Sequence, residues 1–313
     1  MGMSNPRADS LFPGGASRLT TALWLLLPAY TVVSAVMFFM VPTHQVLVLM
    51  VTAVCLALIH GSMRYGARGM LVFLLLSSGV GLLMENASIA IGSPFDRYHY
   101  TNFFHAPMIG RVPLDVGVLY FGMGYTAWVI GNILLDKADA RLNQRLNRIA
   151  LPVVAAFVLA MWDVVLDPTS STIHNVWIWH NSGGYFGVPL TNFVGWYVVA
   201  YLFFQGFAFY LTVRARHTPI RTNTQGKGYW LPPVVLYLLV AAGYIATYAI
   251  SPNTEHADAL GYVWRSRDIY ETAAIISIYT MGFAGGLAVL RLFQHPPEPR
   301  VAGSAPVTPS SVP

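Results

Sequence analysis

Eight apolar runs, each long enough to cross a lipid bilayer, dominate the sequence. A transmembrane helix needs about 20 apolar residues, because each residue advances the helix about 1.5 Å through a hydrocarbon core about 30 Å thick. The runs occupy residues 20–41, 46–63, 69–92, 113–135, 149–167, 191–213, 230–250 and 269–292. Charged residues make up 10% of the chain, against roughly 25% in a soluble domain. The sequence therefore predicts an all-α, polytopic membrane bundle of about eight transmembrane helices.

The apolar runs form one block with a polar segment at each end. We expect residues 20–293 to be a single transmembrane helical domain. A flexible N-terminal tail (1–19) would precede it, and a disordered C-terminal tail (294–313) rich in Pro, Ser and Val would follow it. The first run is long and has no small-residue cleavage site, which favours an uncleaved first helix over a signal peptide.

The basic residues predict how the bundle is oriented. Fourteen of the 18 Lys and Arg residues fall on one side of the predicted bundle, and the other four are Arg97, Arg111, Arg265 and Arg267. Because cytoplasmic loops retain positive charge, both termini are predicted to be cytoplasmic. Nine of the 13 acids lie at or near the opposite side. We predict a multi-pass protein of a bacterial inner membrane with its acid-rich face outward. Topology also explains the net charge of +5 without a nucleic-acid partner.

Five of these acids lie within predicted spans, where ionisable groups are costly and usually functional, and three of the five lie toward the end of a span. Asp163 and Asp167 are four residues apart before Pro168, so they share one face of a helix. Glu85 lies near the corresponding end of the third span. Such acids can simply mark helix ends at the headgroups. Alternatively, burial keeps one carboxyl protonated beside an ionised neighbour, which is the arrangement that general acid–base chemistry uses.

Aromatic and amide side chains occur close to these acids in the sequence. They can form an interfacial belt, or they can form a pocket for a long apolar ligand, in which π faces stabilise a developing carbocation. On the second interpretation the substrate-binding candidates are Asn86, Trp162, Trp177, Trp179, Tyr185, Phe186, Asn192 and Trp196.

Two stretches of the chain resemble each other weakly. In each, a span ends near an acid, an aromatic loop with two histidines follows, and Val-Pro-Leu opens the next span. The histidine pairs are His99 with His105 and His174 with His180. A parallel internal repeat and a chance similarity both fit this pattern.

Several other chemistries lack their characteristic residues. The histidines are scattered and form no H-x3-H pair, so no metal site is predicted. Both lysines, Lys137 and Lys227, lie in predicted cytoplasmic loops, which excludes a retinal Schiff base within the bundle. The sequence contains no phosphate-binding glycine loop, dinucleotide fingerprint or nucleophile elbow. We therefore expect no cofactor.

A set of motifs between residues 84 and 196 is more characteristic of a particular protein family than the features above. In chain order they are Met84-Glu85-Asn86-Ala87-Ser88-Ile89, Gly92-Ser93-Pro94-Phe95, Tyr98-His99-Tyr100-Thr101, Val112-Pro113-Leu114, Trp162-Asp163-Val164-Val165-Leu166-Asp167-Pro168, and Gly184-Tyr185-Phe186-Gly187-Val188-Pro189-Leu190-Thr191-Asn192-Phe193 with Gly195-Trp196. In these motifs the chain resembles the carotenoid biosynthesis membrane-protein family that includes bisanhydrobacterioruberin hydratase and the γ-carotene and lycopene 1,2-hydratases.

The resemblance implies cofactor-free addition of water across the terminal C1–C2 double bond of an acyclic (ψ) carotenoid end group, giving a 1-hydroxy carotenoid. The substrate would be lycopene, γ-carotene or a bisanhydrobacterioruberin-like carotenoid within the lipid bilayer, and other carotenoid-pathway enzymes would be partners. The resemblance assigns no catalytic residue. From the chemistry alone, the catalytic candidates are Glu85, Asp163 and Asp167.

Other functions fit the same acids. A proton-coupled membrane transporter would use them as a relay, and a metal-dependent hydroxylase would require iron and O2. A non-catalytic carotenoid-binding membrane protein would hold the polyene unaltered.

Overall fold

A computed structural model describes residues 18–40, 45–101, 103, 105–216 and 226–294. Its helices are α1 (Arg18–Met40), α2 (Gln45–Ile91), α3 (Leu114–Leu134), α4 (Arg145–Pro168), α5 (Leu190–Ala215), α6 (Lys227–Ile250), α7 (Ser266–Ser277) and α8 (Phe283–Gln294). A π-helical turn extends α4 over Thr169–Ile173, and another joins α7 to α8 over Ile278–Gly282. Within this part of the chain, seven helices are long and apolar enough to cross a membrane. This confirms the predicted all-α, polytopic membrane bundle.

Helix α2 contains both the second and the third predicted spans. Gly66 interrupts it with φ 70° and ψ 167°, a left-handed backbone conformation that favours glycine. Beside this break Gly61 lies so close to Met70 that no side chain could be added there without displacing the methionine. Two apolar segments with a sharp break between them therefore replace one very long helix.

The two segments of α2 run in opposite directions along α3. In the first segment, His60 bonds to Tyr125 of α3, and Ala53 lies against Gly122, nearer the start of α3. In the second, Phe73 meets the Tyr125 ring, while the later residue Leu82 lies against Gly117. Later residues of the first segment therefore contact later residues of α3, whereas later residues of the second segment contact earlier residues of α3. This is the geometry expected of two antiparallel spans.

Short strands close one end of the bundle. They are β1 (Tyr98–Tyr100), β2 (Met108–Ile109), β3 (Val112–Pro113), β4 (Trp177–Trp179), β5 (Glu255–Ala257) and β6 (Val263–Arg265). They form three antiparallel pairs: β1 with β4, β2 with β3, and β5 with β6. The β1–β4 pair joins the two histidine-containing loops of the sequence similarity.

We call the end that carries loops 92–113, 169–189 and 251–265 the acidic end. The opposite, basic end contains Gly66 and the connection 135–144. The orientation of these two ends relative to the cytoplasm remains a prediction, as does the division of the chain into one domain and two tails. The tails fall almost entirely on residues 1–17 and 295–313, outside the described residues, while Arg18 and Gln294 belong to α1 and α8.

The basic end contains a buried ion pair. The Arg64 guanidinium donates to both oxygens of Asp139, each at 2.5 Å, and the two residues are only 4% and 1% exposed. The Tyr65 hydroxyl donates to the same carboxylate at 2.5 Å, and Trp128 Nε1 donates to that hydroxyl at 3.0 Å. This network ties α2, α3 and the α3–α4 connection together.

Candidate active site

A cavity of about 60 Å³ lies inside the acidic end, between α2, α3, α4, α5 and the β1–β4 pair. Most of its lining is aliphatic or aromatic. Its carboxyl and amide groups come from Glu85, Asp163 and Asn192. The cavity therefore brings together polar residues that lie far apart in the sequence and surrounds them with apolar walls.

Glu85 occupies the α2 side of the cavity and is held by three tyrosines. Tyr120 donates to Oε1 at 2.8 Å, while Tyr98 and Tyr100, the latter at 3.2 Å, donate to Oε2. Tyr120 reaches Glu85 because Gly81 leaves space one turn earlier, where a Cβ would lie 2.5 Å from the tyrosine ring. Burial, and then the charge of Glu85, raises the pKa of Tyr100 well above its ordinary value, so its hydroxyl remains a donor.

Asp163 and Asp167 lie on the α4 side and share one amide. Asn192 Nδ2, at the start of α5, donates to Asp163 Oδ2 at 3.0 Å and also to Asp167 Oδ2. Trp177 Nε1 donates to Asp167 Oδ1 at 3.1 Å. Asp163 Oδ1 is buried and has no hydrogen-bond partner among the described residues. Of the six carboxyl oxygens at the site, it is the one left unoccupied.

Helix α4 continues past Pro168, where the sequence suggested that it would end. Proline has no N–H to donate to the carbonyl four residues earlier, which is that of Val164. The Tyr185 hydroxyl supplies this missing hydrogen bond at 3.1 Å. Ser171 Oγ donates to the Asp167 carbonyl at 2.9 Å within the following π turn. The two aspartates therefore lie inside a longer helix and are 1% and 0% exposed.

Aromatic rings complete the cavity. Trp196 stacks on Tyr120 with ring centroids 4.6 Å apart, and Trp179 packs on Tyr98 at 4.8 Å. Tyr98 faces Trp179 across the β1–β4 pair, as Tyr100 faces Trp177. Residues directly opposite each other in antiparallel strands, and residues two apart in one strand, share a face. The strand pair thus directs two phenols at Glu85 and two indoles at the cavity from one surface.

Within the described ranges of the chain, no positive side chain neutralises these carboxyls. Among the described residues, none of the three acids has a Lys, Arg or His nitrogen within the 4.0 Å of an ion pair. Low-dielectric surroundings strengthen the interaction between nearby charges, so the acids influence one another strongly. Their hydrogen bonds to phenol, indole and amide groups replace solvation by water.

Six predicted site residues line the cavity: Glu85, Asp163, Trp177, Trp179, Asn192 and Trp196. Asp167 lies behind the wall, bonded to Asn192 and Trp177.

The structure places the other four predicted residues outside the cavity lining. Asn86 bonds to the Ile109 carbonyl at 3.1 Å and the Arg111 amide at 2.8 Å, and so fixes the 108–113 loop. Trp162 packs against Tyr237. Tyr185 donates its hydroxyl to the Val164 carbonyl of α4, and its neighbour Phe186 contacts Trp264.

The sequence analysis did not select Tyr98, Tyr100, Tyr120 or Phe95 as site residues. The alternation of Tyr98 and Tyr100 was a usable signal, because it places both rings on one face of a strand. Tyr120 had no comparable signal: it lies in an apolar span, and only the packing of α3 against α2 brings it to Glu85.

Two histidines of the acidic-end loops meet each other. His99 Nδ1 and His180 Nε2 are 3.0 Å apart at the surface. Across the part of the chain that the structure describes, no three His, Cys, Asp or Glu side chains form a group suited to a metal ion.

Buried carboxyls around an aromatic cavity, at one end of a bundle of apolar helices, define an integral membrane protein with a buried polar site. The sequence profile of the family described as "Carotenoid biosynthesis protein" matches residues 43–262, which include every residue of the site. The chain belongs to this family, and its role is therefore in carotenoid modification.

A curated relative, bisanhydrobacterioruberin hydratase of Haloarcula japonica, is 28% identical over 113 residues. The match covers 36% of this chain and 36% of the relative, so the similarity spans about a third of each protein. No solved structure matches the chain.

Proposed function

We propose that this protein is a hydratase that adds water across the terminal C1–C2 double bond of an acyclic carotenoid end group. The observation that carries the proposal is Asp163 Oδ1, a buried carboxyl oxygen that has no partner in the described part of the chain, on a residue that lines an apolar cavity. Family membership and the name of the curated relative support the same reaction. The substrate would be lycopene, γ-carotene or a bisanhydrobacterioruberin-like carotenoid.

Asp163 is the proton donor in this proposal. Burial penalises the charged form of a carboxyl, and no donor among the described residues stabilises charge on Oδ1, so a proton on this oxygen is favoured. Both oxygens of Glu85 accept from tyrosines, and both oxygens of Asp167 accept from Asn192 or Trp177. Asp163 alone therefore has a carboxyl oxygen free to give a proton to an alkene.

Glu85 and the aromatic rings would stabilise the cation. Three phenol donors favour a carboxylate at Glu85, and the faces of Trp179 and Trp196 add π electron density. These groups are fixed before reaction by their hydrogen bonds and stacking. They can therefore stabilise developing positive charge without rearranging.

The chemical step balances without a redox partner. Asp163 gives its proton to C2, which leaves a tertiary cation at C1 and a carboxylate at Asp163. A water oxygen bonds to C1, and the extra proton of that water returns to the Asp163 carboxylate. The π bond is replaced by one C–H and one C–O bond, and the enzyme ends in its starting state. Asp167 shares the Asn192 amide with Asp163, so it would disfavour ionisation of both acids at once.

The membrane would position the substrate. An extended carotenoid is about as long as a bilayer is thick, so one end group can lie at the acidic end while the polyene remains in lipid. We propose that the acidic end faces outward from a bacterial inner membrane. Other carotenoid-pathway enzymes would supply the acyclic end group and consume the alcohol.

Mass spectrometry of carotenoids from a lycopene-producing host, with and without this gene, tests the proposal. We expect a product heavier by one water, with its oxygen taken from isotopically labelled water and not from labelled O2. Label from O2 would indicate a hydroxylase. An unaltered carotenoid would contradict hydration and favour a binding protein, or a transporter if proteoliposomes then show proton-coupled flux.

Glu85→Gln should lower hydration by about 10²-fold, the order of loss seen when one pre-organised electrostatic group is removed from an active site. The amide keeps the size of the side chain but removes its charge. Hydration rate per folded protein would be measured in detergent with added carotenoid. Glu271→Gln is a matched control, because Glu271 is exposed on α7 at the same end and should retain full activity. Full activity of Glu85→Gln would exclude charge stabilisation by Glu85.

A further inference from the structure

A second cavity lies above the first, between the 170–187 segment and the β5–β6 hairpin. Its volume is about 180 Å³, many times the roughly 10–15 Å³ that one ordered water needs. Polar side chains line it, namely those of Ser171, Thr172, Asn175, Ser182 and Asp258. Its size and polarity suit several waters, in contrast to the apolar cavity below.

Two indoles separate the cavities. Trp177 and Trp179 line both the polar and the apolar cavity, so each forms part of a shared wall. Trp177 is fixed by its hydrogen bond to Asp167 Oδ1 at 3.1 Å. The two rings therefore form part of the wall between the cavities, beside Asp167.

The β5–β6 hairpin is attached to the rim of the polar cavity through Asp258. This carboxylate accepts from Ser182 Oγ at 2.5 Å and from Trp264 Nε1 at 3.0 Å. Burial raises the pKa of Asp258, but these bonds and those from the Tyr262 and Leu260 amides together lower it by more, so the pKa lies below its ordinary value. The rim thus holds a carboxylate at neutral pH.

We propose that the polar cavity is the entry vestibule for water, the second substrate, and that Trp177 and Trp179 form the partition which limits its access to the carbocation. This inference rests on the proposed hydratase function. A carbocation needs one water at C1, while bulk water would weaken the electrostatic interactions that stabilise it. A water-filled vestibule behind an aromatic wall can supply one water and still exclude bulk water. It also leaves the membrane side of the site free for the polyene.

Filling the vestibule tests the route. Ala257 and Ala259 are exposed residues of the hairpin that line the vestibule but not the apolar cavity. Ala257→Phe and Ala259→Phe should each lower kcat by at least about tenfold, equal to about 1.4 kcal/mol in the barrier. The carotenoid KM and the absorption shift on carotenoid binding should stay unchanged, because the polyene site is untouched. Leu260→Phe, at an exposed neighbour outside the lining, should behave as wild type.

The outcomes distinguish the two proposals. Wild-type kcat in both alanine variants, with normal binding of carotenoid, would overturn the vestibule and leave the hydratase intact. A lowered kcat in Leu260→Phe as well would also overturn it, since the effect would not depend on filling the cavity. Absence of a hydrated product from the wild-type protein would instead overturn the hydratase proposal.

Discussion

Asp163→Asn is expected to reduce carotenoid hydration by about 10²–10⁴-fold, the contribution of a positioned general acid. Asparagine keeps nearly the same shape, and its carbonyl oxygen can still accept from Asn192, so the cavity should persist. What it lacks is the acidic proton that C2 must receive. Initial rates on purified protein, with product counted by mass spectrometry, give the size of the effect. A host that accumulates lycopene gives the same comparison in cells.

Asp115→Asn is the matched control for this experiment. Asp115 lies at the same end of the bundle, on the first turn of α3, and its carboxylate accepts a hydrogen bond from the Val116 amide. It does not line the cavity, so activity should be unchanged. Undiminished hydration by Asp163→Asn, with the variant folded and able to bind carotenoid, would remove Asp163 from the mechanism.

Arg64→Met is expected to destabilise the protein by about 3–5 kcal/mol, since removing one partner of a buried ion pair leaves the other charge buried and uncompensated. Asp139 would retain Tyr65 but lose both guanidinium hydrogen bonds. Arg64 Cζ also lies 4.7 Å from the centroid of the Trp230 ring. Methionine can pack against this ring but has no positive charge to interact with it. Thermal unfolding of the detergent-solubilised protein, with the yield of folded protein, measures the loss.

The exposed pair Arg265–Asp268 provides the comparison. Its side chains are 63% and 42% exposed, and such pairs contribute about 0–1 kcal/mol. Asp268→Asn should therefore leave the unfolding temperature nearly unchanged. Because Arg64 lies at the basic end, hydration per folded molecule should also survive Arg64→Met. Equal stability losses in the two variants would show that burial of the Arg64–Asp139 pair does not matter.

The site depends on both similar stretches of the chain. The first supplies Glu85 with Tyr98 and Tyr100, and the second supplies the aspartates with Trp177 and Trp179. The antiparallel pairing of β1 with β4 brings these two stretches together at the cavity. This arrangement also explains why Glu85 and Asp163 are separated by about a quarter of the chain yet line one cavity.

The sequence by itself determined the membrane bundle, because a run of apolar residues as long as the bilayer is thick is a local property of the chain. It also indicated that Glu85, Asp163 and Asp167 lie at one end, since alternating spans place every second loop on the same side. Helical spacing put the two aspartates on one face. These conclusions need only residue type, spacing and counting.

Only the tertiary structure decided which of these groups face the cavity and what they contact. Trp162 and Trp177 were both predicted to bind substrate. In the structure Trp162 packs against Tyr237, while Trp177 lines the cavity and bonds to Asp167. The unpaired oxygen of Asp163 and the burial of Arg64 with Asp139 likewise depend on neighbours remote in the sequence. Hydrogen-bond partners and exposure are set by packing between helices, which local periodicity does not specify.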